Sequence, residues 1–416
     1  MISFNCAAVG LFSAALSFAS GHCQAKTYRL MPKADVLLDG IAAAKDGDTI
    51  ELSAGRYQAP IIIKKSITLK GEPGAIIDGG GIGHVILVDA PSVIIEGLRI
   101  ENSGQLLSEE HSGIFITQKA GDAVIRNNHL QNNLIGVYLK GPKNAQVVSN
   151  SIVGLSSLRV NERGNGVQLW NSPGSIVIGN RIESGRDGIF ATTSKDNRFS
   201  NNHFSDLRFA VHYMYTNHSE ISNNISEGNH VGFALMYSSH LVVKGNVSKS
   251  DRDRGIFFNF ANSSEITNNR VEGGAEKCAF IYNSNMNQIV GNHFEGCLIG
   301  IHFTAGSEQN EIWGNNFVAN RTQVKYVGTR ELEWSKAEQG NFWSDHLAFD
   351  MNGDGIADKP YRPNTIVDQI IWRHPAAKIL LNSPALQLLQ WAQSQFPALH
   401  PGGVQDSAPL MRRHVL

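Results

Sequence analysis

The chain has 416 residues, which is enough for one large domain or for two to three average ones. Its hydrophobic content of 42% and charged content of 18% fit a folded, water-soluble protein. The net charge of −1 argues against nucleic acid as a partner, because non-specific nucleic-acid binding needs an excess of lysine and arginine. The 41 glycines favour turns over helices.

Residues 1–25 predict a secretory signal peptide. They contain no acidic residue, lysine or arginine, and their apolar core is too short for a membrane-spanning helix. Cleavage after Ala25 would release an exported mature chain.

Residues 26–66 predict an N-terminal cap and the first strands. The pattern over residues 34–45 is that of an amphipathic helix, and alternating apolar residues follow it. A helix at this place would cover the open end of a repetitive β structure, where unpaired strand edges otherwise invite aggregation.

Residues 67–330 contain a repeat of 22–23 residues. Each unit holds an asparagine flanked by apolar residues and then a second alternating segment such as "GVYL", "GIFA" or "GFALMY". The key asparagines are Asn128, Asn150, Asn180, Asn202, Asn223, Asn246, Asn269, Asn292 and Asn315. Short strands with glycine and asparagine turns predict an all-β parallel solenoid of about 10 coils, with the asparagines stacked between coils. A leucine-rich repeat is excluded because its L-x-x-L-x-L signature is missing.

Two insertions interrupt this rhythm, at residues 103–112 and 155–165. Insertions in a solenoid gather on one face and tend to carry function.

The second strand of each repeat predicts which side chains point outward. Alternation assigns to the core the residues Val211, Tyr213, Phe233, Leu235, Ile256, Phe258, Phe280, Tyr282, Ile301 and Phe303. The other parity places His212, Met214 and Met236 on an exposed outer wall, with the two methionines on neighbouring coils. His218 and His240, which are also 22 residues apart, stack in the following turn.

Imidazole and thioether groups on one wall are ligands for a soft ion, above all Cu(I). The five copper candidates are His212, Met214, Met236, His218 and His240. The alternative is a patch of exposed methionine and tyrosine that contacts a protein partner, with the histidines merely filling turn positions.

After removal of the signal peptide only Cys278 and Cys297 remain. In an exported protein they form a disulfide, stay as two buried thiols or ligate a metal, and the spacing does not choose among these.

Residues 331–416 change character, because the asparagine repeat stops. The stretch "FDMNGDGIAD" offers oxygen ligands at the spacing of a calcium loop: Asp350, Asn352, Asp354, the Ile356 carbonyl and Asp358. Tyr361 occupies the position of the usual bidentate glutamate, so we expect a weak Ca²⁺ site or, alternatively, a metal-free cluster of turns. The following "VDQIIWRHPAAKILLNSPALQLLQWAQSQF" is amphipathic and either caps the solenoid or docks on a partner.

Four stretches together resemble the NosD family of periplasmic maturation factors for nitrous oxide reductase. They are "GDTIELSAGRYQ", "LRVNERGNGVQLWNSPG", "GNFWSDHLAFDMNGDGIADKPYRP" and "LLNSPALQLLQWAQSQFPALHPGGVQDSAPLM". The resemblance spans about residues 26–411 and implies a right-handed parallel β-helix in the periplasm. It also implies an ABC transporter with ATPase and membrane subunits, a copper chaperone lipoprotein and the apo reductase as partners. It carries no ligand set, so the copper candidates rest on the residues alone.

The alternative function is a polysaccharide-cleaving protein (lyase, hydrolase or epimerase) or a polysaccharide-binding one on the same scaffold. Trp170, Phe190 and Phe257 would be exposed aromatic residues for sugar binding. Glycoside cleavage needs two carboxyl groups across one bond, and the outward strand positions of residues 180–315 place no Asp or Glu on adjacent coils. The acidic residues nearby, such as Asp187 and Asp251, read as turn residues. We therefore predict a protein that is not an enzyme.

Overall fold

Three parallel sheets, joined by short corners, wind the chain into a right-handed parallel β-helix, as predicted. The computed structural model describes residues 25–396 and 402–415. The predicted signal peptide therefore lies outside the described residues, apart from Ala25. Each coil gives one strand to each sheet, and every strand pairs in parallel with its equivalents in the coils before and after it.

The strands of the three sheets have the following bounds. Sheet A contains β1 (Thr27–Leu30), β2 (Thr49–Leu52), β5 (Thr68–Gly71), β8 (Ile94–Glu96), β11 (Val124–Arg126), β14 (Gln146–Val148), β17 (Ile176–Ile178), β20 (Arg198–Ser200), β23 (Glu220–Ser222), β26 (Val242–Lys244), β29 (Glu265–Thr267), β32 (Gln288–Val290) and β35 (Glu311–Trp313). Sheet B contains β3 (Gly55–Gln58), β6 (Ala75–Asp78), β9 (Arg99–Glu101), β12 (His129–Gln131), β15 (Ser151–Val153), β18 (Arg181–Glu183), β21 (His203–Ser205), β24 (Ile225–Glu227), β27 (Val247–Lys249), β30 (Arg270–Glu272), β33 (His293–Glu295), β36 (Asn316–Val318) and β39 (Phe342–Trp343). Sheet C contains β4 (Ile61–Ile63), β7 (Ile86–Val88), β10 (Ser112–Ile116), β13 (Ile135–Lys140), β16 (Val167–Trp170), β19 (Asp187–Lys195), β22 (Phe209–Asn217), β25 (Val231–Met236), β28 (Arg254–Asn259), β31 (Lys277–Tyr282), β34 (Ile299–Phe303) and β37 (Thr322–Tyr326).

The solenoid has more coils than the about 10 that the asparagine repeat predicts, because sheets A and B contain 13 strands each. The early coils, over residues 49–101, lack the repeated asparagine, so a coil count based on that asparagine leaves them out. At the other end, β39 continues sheet B beyond residue 330.

The helices lie at the two ends of the chain. Helix α1 (Val36–Ala43) falls within the predicted range and buries Leu37 and Ile41 against the first coils. Near the C-terminus are α2 (Ile366–Arg373) and α3 (Pro384–Gln395). Short 3-10 helices span Leu107–Glu109, Val160–Glu162 and Pro375–Leu380, and a two-stranded sheet joins β38 (Glu331–Glu333) to β40 (Gly403–Gln405). None of the helices described is long and apolar enough to cross a membrane.

The prediction of which side chains of sheet C point into the core is confirmed for most positions. Val211, Tyr213, Phe233 and Leu235 are all fully buried in the core. The prediction is wrong for Phe280 and Tyr282, which point outward. The register pairs Ile256 with Ala279 and Phe258 with Ile281, because Cys278 occupies the place that glycine takes in other coils.

An asparagine ladder stabilises the corner between sheets A and B. Each amide nitrogen donates to the side-chain oxygen of the asparagine on the next coil, as from Asn202 to Asn224 (3.0 Å) and from Asn224 to Asn246 (2.9 Å). The sequence predicts Asn223 as a member of this ladder, which is wrong by one residue, because the member is Asn224. Asn223 instead has a φ of 54°, and the residues before the ladder asparagines from Asn128 to Asn315 take such a left-handed conformation, which glycine and asparagine tolerate.

Cys278 and Cys297 form a disulfide, one of the three alternatives left open by the sequence. Both residues are buried in the core, so the bridge lies inside the solenoid.

The far end of the solenoid is closed by the last described residues. Asp406 is fully buried and accepts hydrogen bonds from the backbone nitrogen of Asn341 (2.7 Å) and from the indole nitrogen of Trp343 (2.8 Å). Asp406 thus caps the last asparagine of the ladder, and Tyr361 stacks on Trp343 with ring centroids 4.6 Å apart.

Candidate functional site

The two methionines predicted on neighbouring coils are register partners. Met214 in β22 lies directly beside Met236 in β25. Parallel strands are about 4.8 Å apart, so the two thioethers occupy adjacent positions on the outer side of sheet C. Both side chains are half-buried, and Met236 packs on an outer apolar cluster that contains Ala234 and Phe257.

His212 belongs to a buried charged network. Its Nδ1 lies 3.1 Å from Oδ2 of Asp187, which is fully buried at the start of β19. Arg208 donates two hydrogen bonds to the same carboxylate, at 2.9 and 2.7 Å. Burial raises the pKa of Asp187, but the hydrogen bonds from His212 and Arg208 outweigh it and hold that pKa below its ordinary value. Asp187 is therefore an anion that fixes the imidazole.

His212 is on the outer side of the sheet but is not exposed, which corrects the prediction of an open wall. Only 8% of the residue is exposed, because the rings of Phe190 and Phe209 cover it at centroid distances of 5.0 and 4.8 Å. Its Nε2 is buried and has no hydrogen-bond partner. A carboxylate on Nδ1 with a free Nε2 lone pair is the arrangement typical of metal-ligating histidines.

His218 and His240 lie in the turn after these strands. Both are exposed, and their rings stack at 4.6 Å with an interplanar angle of 12°. Between them and the methionines lies a second stacked pair, Tyr215 and Tyr237, with centroids 5.2 Å apart. The five copper candidates therefore form two groups, one on the strands and one in the turn.

The calcium-loop prediction falls on a loop whose oxygens accept hydrogen bonds from its own backbone. Asp350 accepts from the nitrogens of Gly353 (2.6 Å) and Gly355 (2.8 Å). These bonds, led by that of Gly355, lower the pKa of Asp350. The other predicted ligands behave alike, since Asn352, Asp354 and Asp358 accept from backbone nitrogens of the loop. The Ile356 carbonyl remains a predicted ligand.

No group of three or more His, Cys, Asp or Glu side chains is arranged to hold a metal ion within residues 25–396 and 402–415. A site for a soft ion that uses methionine sulfur draws on a different set of ligands. The strand group, with two thioethers and one imidazole, is of that kind.

Sequence reasoning missed Asp187, Arg208 and the tyrosine stack. It assigned Asp187 to a turn, although Asp187 binds a histidine 25 residues away. The 22-residue repeat carries the missing signal, because it pairs Asp187 with Phe209, three residues before His212. Of the predicted sugar-binding aromatics, Trp170 is 44% exposed, whereas Phe257 is covered by Phe280 and the Arg254 guanidinium.

Comparison with known proteins gives two kinds of similarity. The family described as "Periplasmic copper-binding protein (NosD)" matches residues 150–348, and the family described as "Right handed beta helix region" matches residues 39–182. A Pseudomonas aeruginosa protein named "Probable ABC transporter binding protein NosD" is 44% identical over 389 residues, which is 90% of this chain and 91% of that protein. A protein of the same name from Stutzerimonas stutzeri is 41% identical and covers 87% and 86% of the two chains.

Solved structures with a similar fold are distant in sequence. The A-module of Azotobacter vinelandii mannuronan C-5 epimerase AlgE6 has a TM-score of 0.54 at 13% identity, covering 69% of this chain and 89% of that one. A polygalacturonase from Erwinia carotovora has a TM-score of 0.53 at 12% identity, covering 69% and 94%. At such identities the likeness shows the fold alone.

Proposed function

The chain belongs to the NosD family, and from that premise we propose that it is a periplasmic accessory protein for assembly of the copper centres of nitrous oxide reductase. Two findings support this proposal. The family is described as periplasmic and copper-binding, and its similarity to the named relatives extends over most of the chain. The part of the proposal that concerns the reductase and its copper centres is based on the family resemblance.

The single observation that carries copper handling is the register pairing of Met214 with Met236 beside His212. We place Cu(I) between the two sulfur atoms and Nε2 of His212, because soft ligands select this ion. Asp187 fixes the imidazole orientation and its Nδ1 proton, so that Nε2 presents a lone pair. The ion is cargo, and its release is favoured by a site of only three neutral ligands.

Access to this site is controlled by the aromatic residues around it. Nε2 of His212 is sealed from solvent, so copper reaches it when Phe190 or Phe209 moves aside. The exposed pair His218 and His240 offers an earlier, solvent-accessible contact for the incoming ion.

The C-terminal helices supply a surface for the transporter. Ile379, Leu380, Leu388 and Phe396 are 54–88% exposed, and this apolar area suits a hydrophobic partner. We propose that it docks on the membrane subunits of an ABC transporter, whose ATPase subunit lies on the other side of the membrane. The relatives' name, ABC transporter binding protein, supports this docking. The donor of copper would be a chaperone lipoprotein, and its final acceptor the apo reductase.

The loop over residues 350–358 is proposed as a weak Ca²⁺ site. Its support is the ligand spacing and the turn already formed by Gly353 and Gly355, whose φ angles of 77° and 85° need glycine.

The function is tested in cells that make nitrous oxide reductase. The gene for this chain is deleted and restored either as wild type or as the Met214→Leu/Met236→Leu variant, and copper per reductase subunit is measured. We expect a copper-poor reductase in the deletion strain and incomplete loading with the variant. Full copper content in the deletion strain would refute the proposed function, whereas full loading with the variant would refute only the methionine site.

A further inference from the structure

The two insertions that interrupt the repeat line one cleft on the outer side of sheet C. Leu107 and Glu110 come from the first insertion, and Arg163 and Asn165 come from the second. Together with the wall of sheet C they enclose about 250 Å³. This volume is below the roughly 300–1,000 Å³ of pockets for drug-sized ligands, so the cleft suits a ligand of one or two rings.

The second insertion is folded around its own arginine. Arg163 is only 8% exposed and donates to the carbonyl oxygens of Leu158 and Ser156, both at 2.9 Å. Its remaining charge is paired with Asp206 at 3.1 Å. The loop is thus held by buried hydrogen bonds, and this side of the cleft is formed before any ligand arrives.

The first insertion is anchored by its carboxylate. Glu110 accepts hydrogen bonds from Lys140 Nζ at 2.7 Å and from the hydroxyl of Tyr138 at 3.2 Å. Glu110 is the only carboxylate among the residues described as lining the cleft. Glycoside cleavage needs a second carboxyl group, so the cleft is suited to binding and not to hydrolysis.

Two polar atoms of the lining have no hydrogen-bond partner. Asn165 is 5% exposed and donates to Gln168 Oε1 at 2.8 Å, but its own Oδ1 is unpaired. Nε of Arg186 is likewise unpaired, and its nearest carboxylate, Asp187, is 4.0 Å away and already bound by Arg208. Buried polar atoms nearly always have a hydrogen-bond partner. Oδ1 of Asn165 can therefore still accept one hydrogen bond from a ligand, and the cationic Arg186 can still donate one from Nε.

The remaining wall is aromatic. Phe190 lines the cleft next to Gln168, its register partner on the preceding coil. A ligand that fits must bring an anionic acceptor for Arg186, a hydroxyl donor for Asn165 and a flat C–H face for Phe190. A sugar ring that carries a carboxylate has all three.

We propose that this cleft binds a uronic-acid-type saccharide unit, with its carboxylate on Arg186, its hydroxyls on Asn165 and Gln168, and its ring against Phe190. The proposal goes beyond the proposed function and does not depend on it, although the cleft adjoins the proposed copper site, because Phe190 lines the cleft and also covers His212. The unit is either a free sugar or part of a polymer, since both present the same chemistry.

The test is isothermal titration of the full mature chain with digalacturonate, tetragalacturonate, neutral cellobiose and acetate. We expect binding of the galacturonates, about tenfold weaker binding in Arg186→Gln, and no change in the matched control Arg181→Gln, whose arginine pairs with Glu183 on sheet B. Gln168→Ala, which keeps every charge, must also weaken binding, and it decides the matter if Arg186→Gln does not fold. Tighter binding of the tetramer than of the dimer would indicate a polymer.

Three results would overturn the proposal. They are no heat at millimolar galacturonate, equal affinity for cellobiose, and acetate binding as tight as that of digalacturonate, which would mean a simple anion site.

Discussion

Replacing Asn224 by alanine tests the asparagine ladder at its centre. The Asn224 side chain is fully buried and donates from Nδ2 to the carbonyl of Phe199 (2.9 Å) and to Oδ1 of Asn246 (2.9 Å). Its own Oδ1 accepts from the backbone nitrogen of Asn202 (2.9 Å) and from the Asn202 amide (3.0 Å). The neighbour Asn223 is exposed and makes no contribution to this chain of amides.

The magnitude follows from the groups left without partners. Asn224→Ala leaves at least the Asn202 backbone N–H and the Phe199 carbonyl unsatisfied inside the solenoid. Each such group costs about 1–3 kcal/mol, so the free energy of unfolding should fall by about 2–6 kcal/mol. The matched control Asn223→Ala places alanine at a φ of 54°, which costs about 1–2 kcal/mol.

Urea unfolding followed by circular dichroism measures both variants. We expect the midpoint of Asn224→Ala to lie well below that of Asn223→Ala. The opposite order would refute the ladder as described and would restore Asn223 as its member.

Three further predictions concern other parts of the chain. Ca²⁺ should raise the melting temperature of the wild type over that in chelator, and Asp350→Asn/Asp354→Asn should abolish this difference, because both carboxylates are proposed ligands. Burial raises the pKa of Asp251 to about 6, above its unfolded value of 3.8. Between these two pH values the folded state therefore keeps a proton on Asp251 that the unfolded state has lost. The stability that Asp251 contributes is therefore fully present below about pH 4 and is lost as the pH rises through about 6. In urea unfolding, Asp251→Asn should become more stable relative to the wild type as the pH rises from about 4 to about 6. Leu380→Asp/Leu388→Asp should reduce co-purification with the transporter subunits while leaving the melting temperature unchanged, since both leucines are exposed.

The controls for these predictions are specific. Mg²⁺ in place of Ca²⁺ should give no shift, and an equal shift in the double variant would exclude the loop as the site. A constant stability difference between Asp251→Asn and wild type from pH 4 to 6.5 would contradict the raised pKa. For the tail, Leu347→Asp changes another exposed leucine, outside the helices, and unchanged co-purification of the tail variant would contradict docking.

The solenoid could be predicted from the sequence because its signals are local and repeat at a constant interval. Alternation in β22 and β25 correctly assigned Tyr213 and Leu235 to the core and paired Met214 with Met236. One error arose where a coil departs from the pattern, at Cys278, which stands in the place of a glycine, and another where two asparagines, Asn223 and Asn224, stand side by side.

The surroundings of the site could not be predicted, because they depend on contacts between coils. The alternation of side chains along the strand predicts that His212 faces outward, but only the packing of Phe190 and Phe209 shows that the imidazole is covered. The 22-residue repeat pairs Asp187 with Phe209, three residues before His212, but only the structure shows that the carboxylate reaches this imidazole.

Cu(I) competition titration of the Met214→Leu/Met236→Leu variant tests the proposed copper site most directly. Leucine preserves the apolar volume and removes both sulfur atoms, so we expect Cu(I) affinity to fall at least about tenfold. Met286→Leu, which changes an exposed methionine in a turn two coils farther along, should bind Cu(I) like the wild type. Unchanged affinity in the double variant would contradict copper binding between Met214 and Met236.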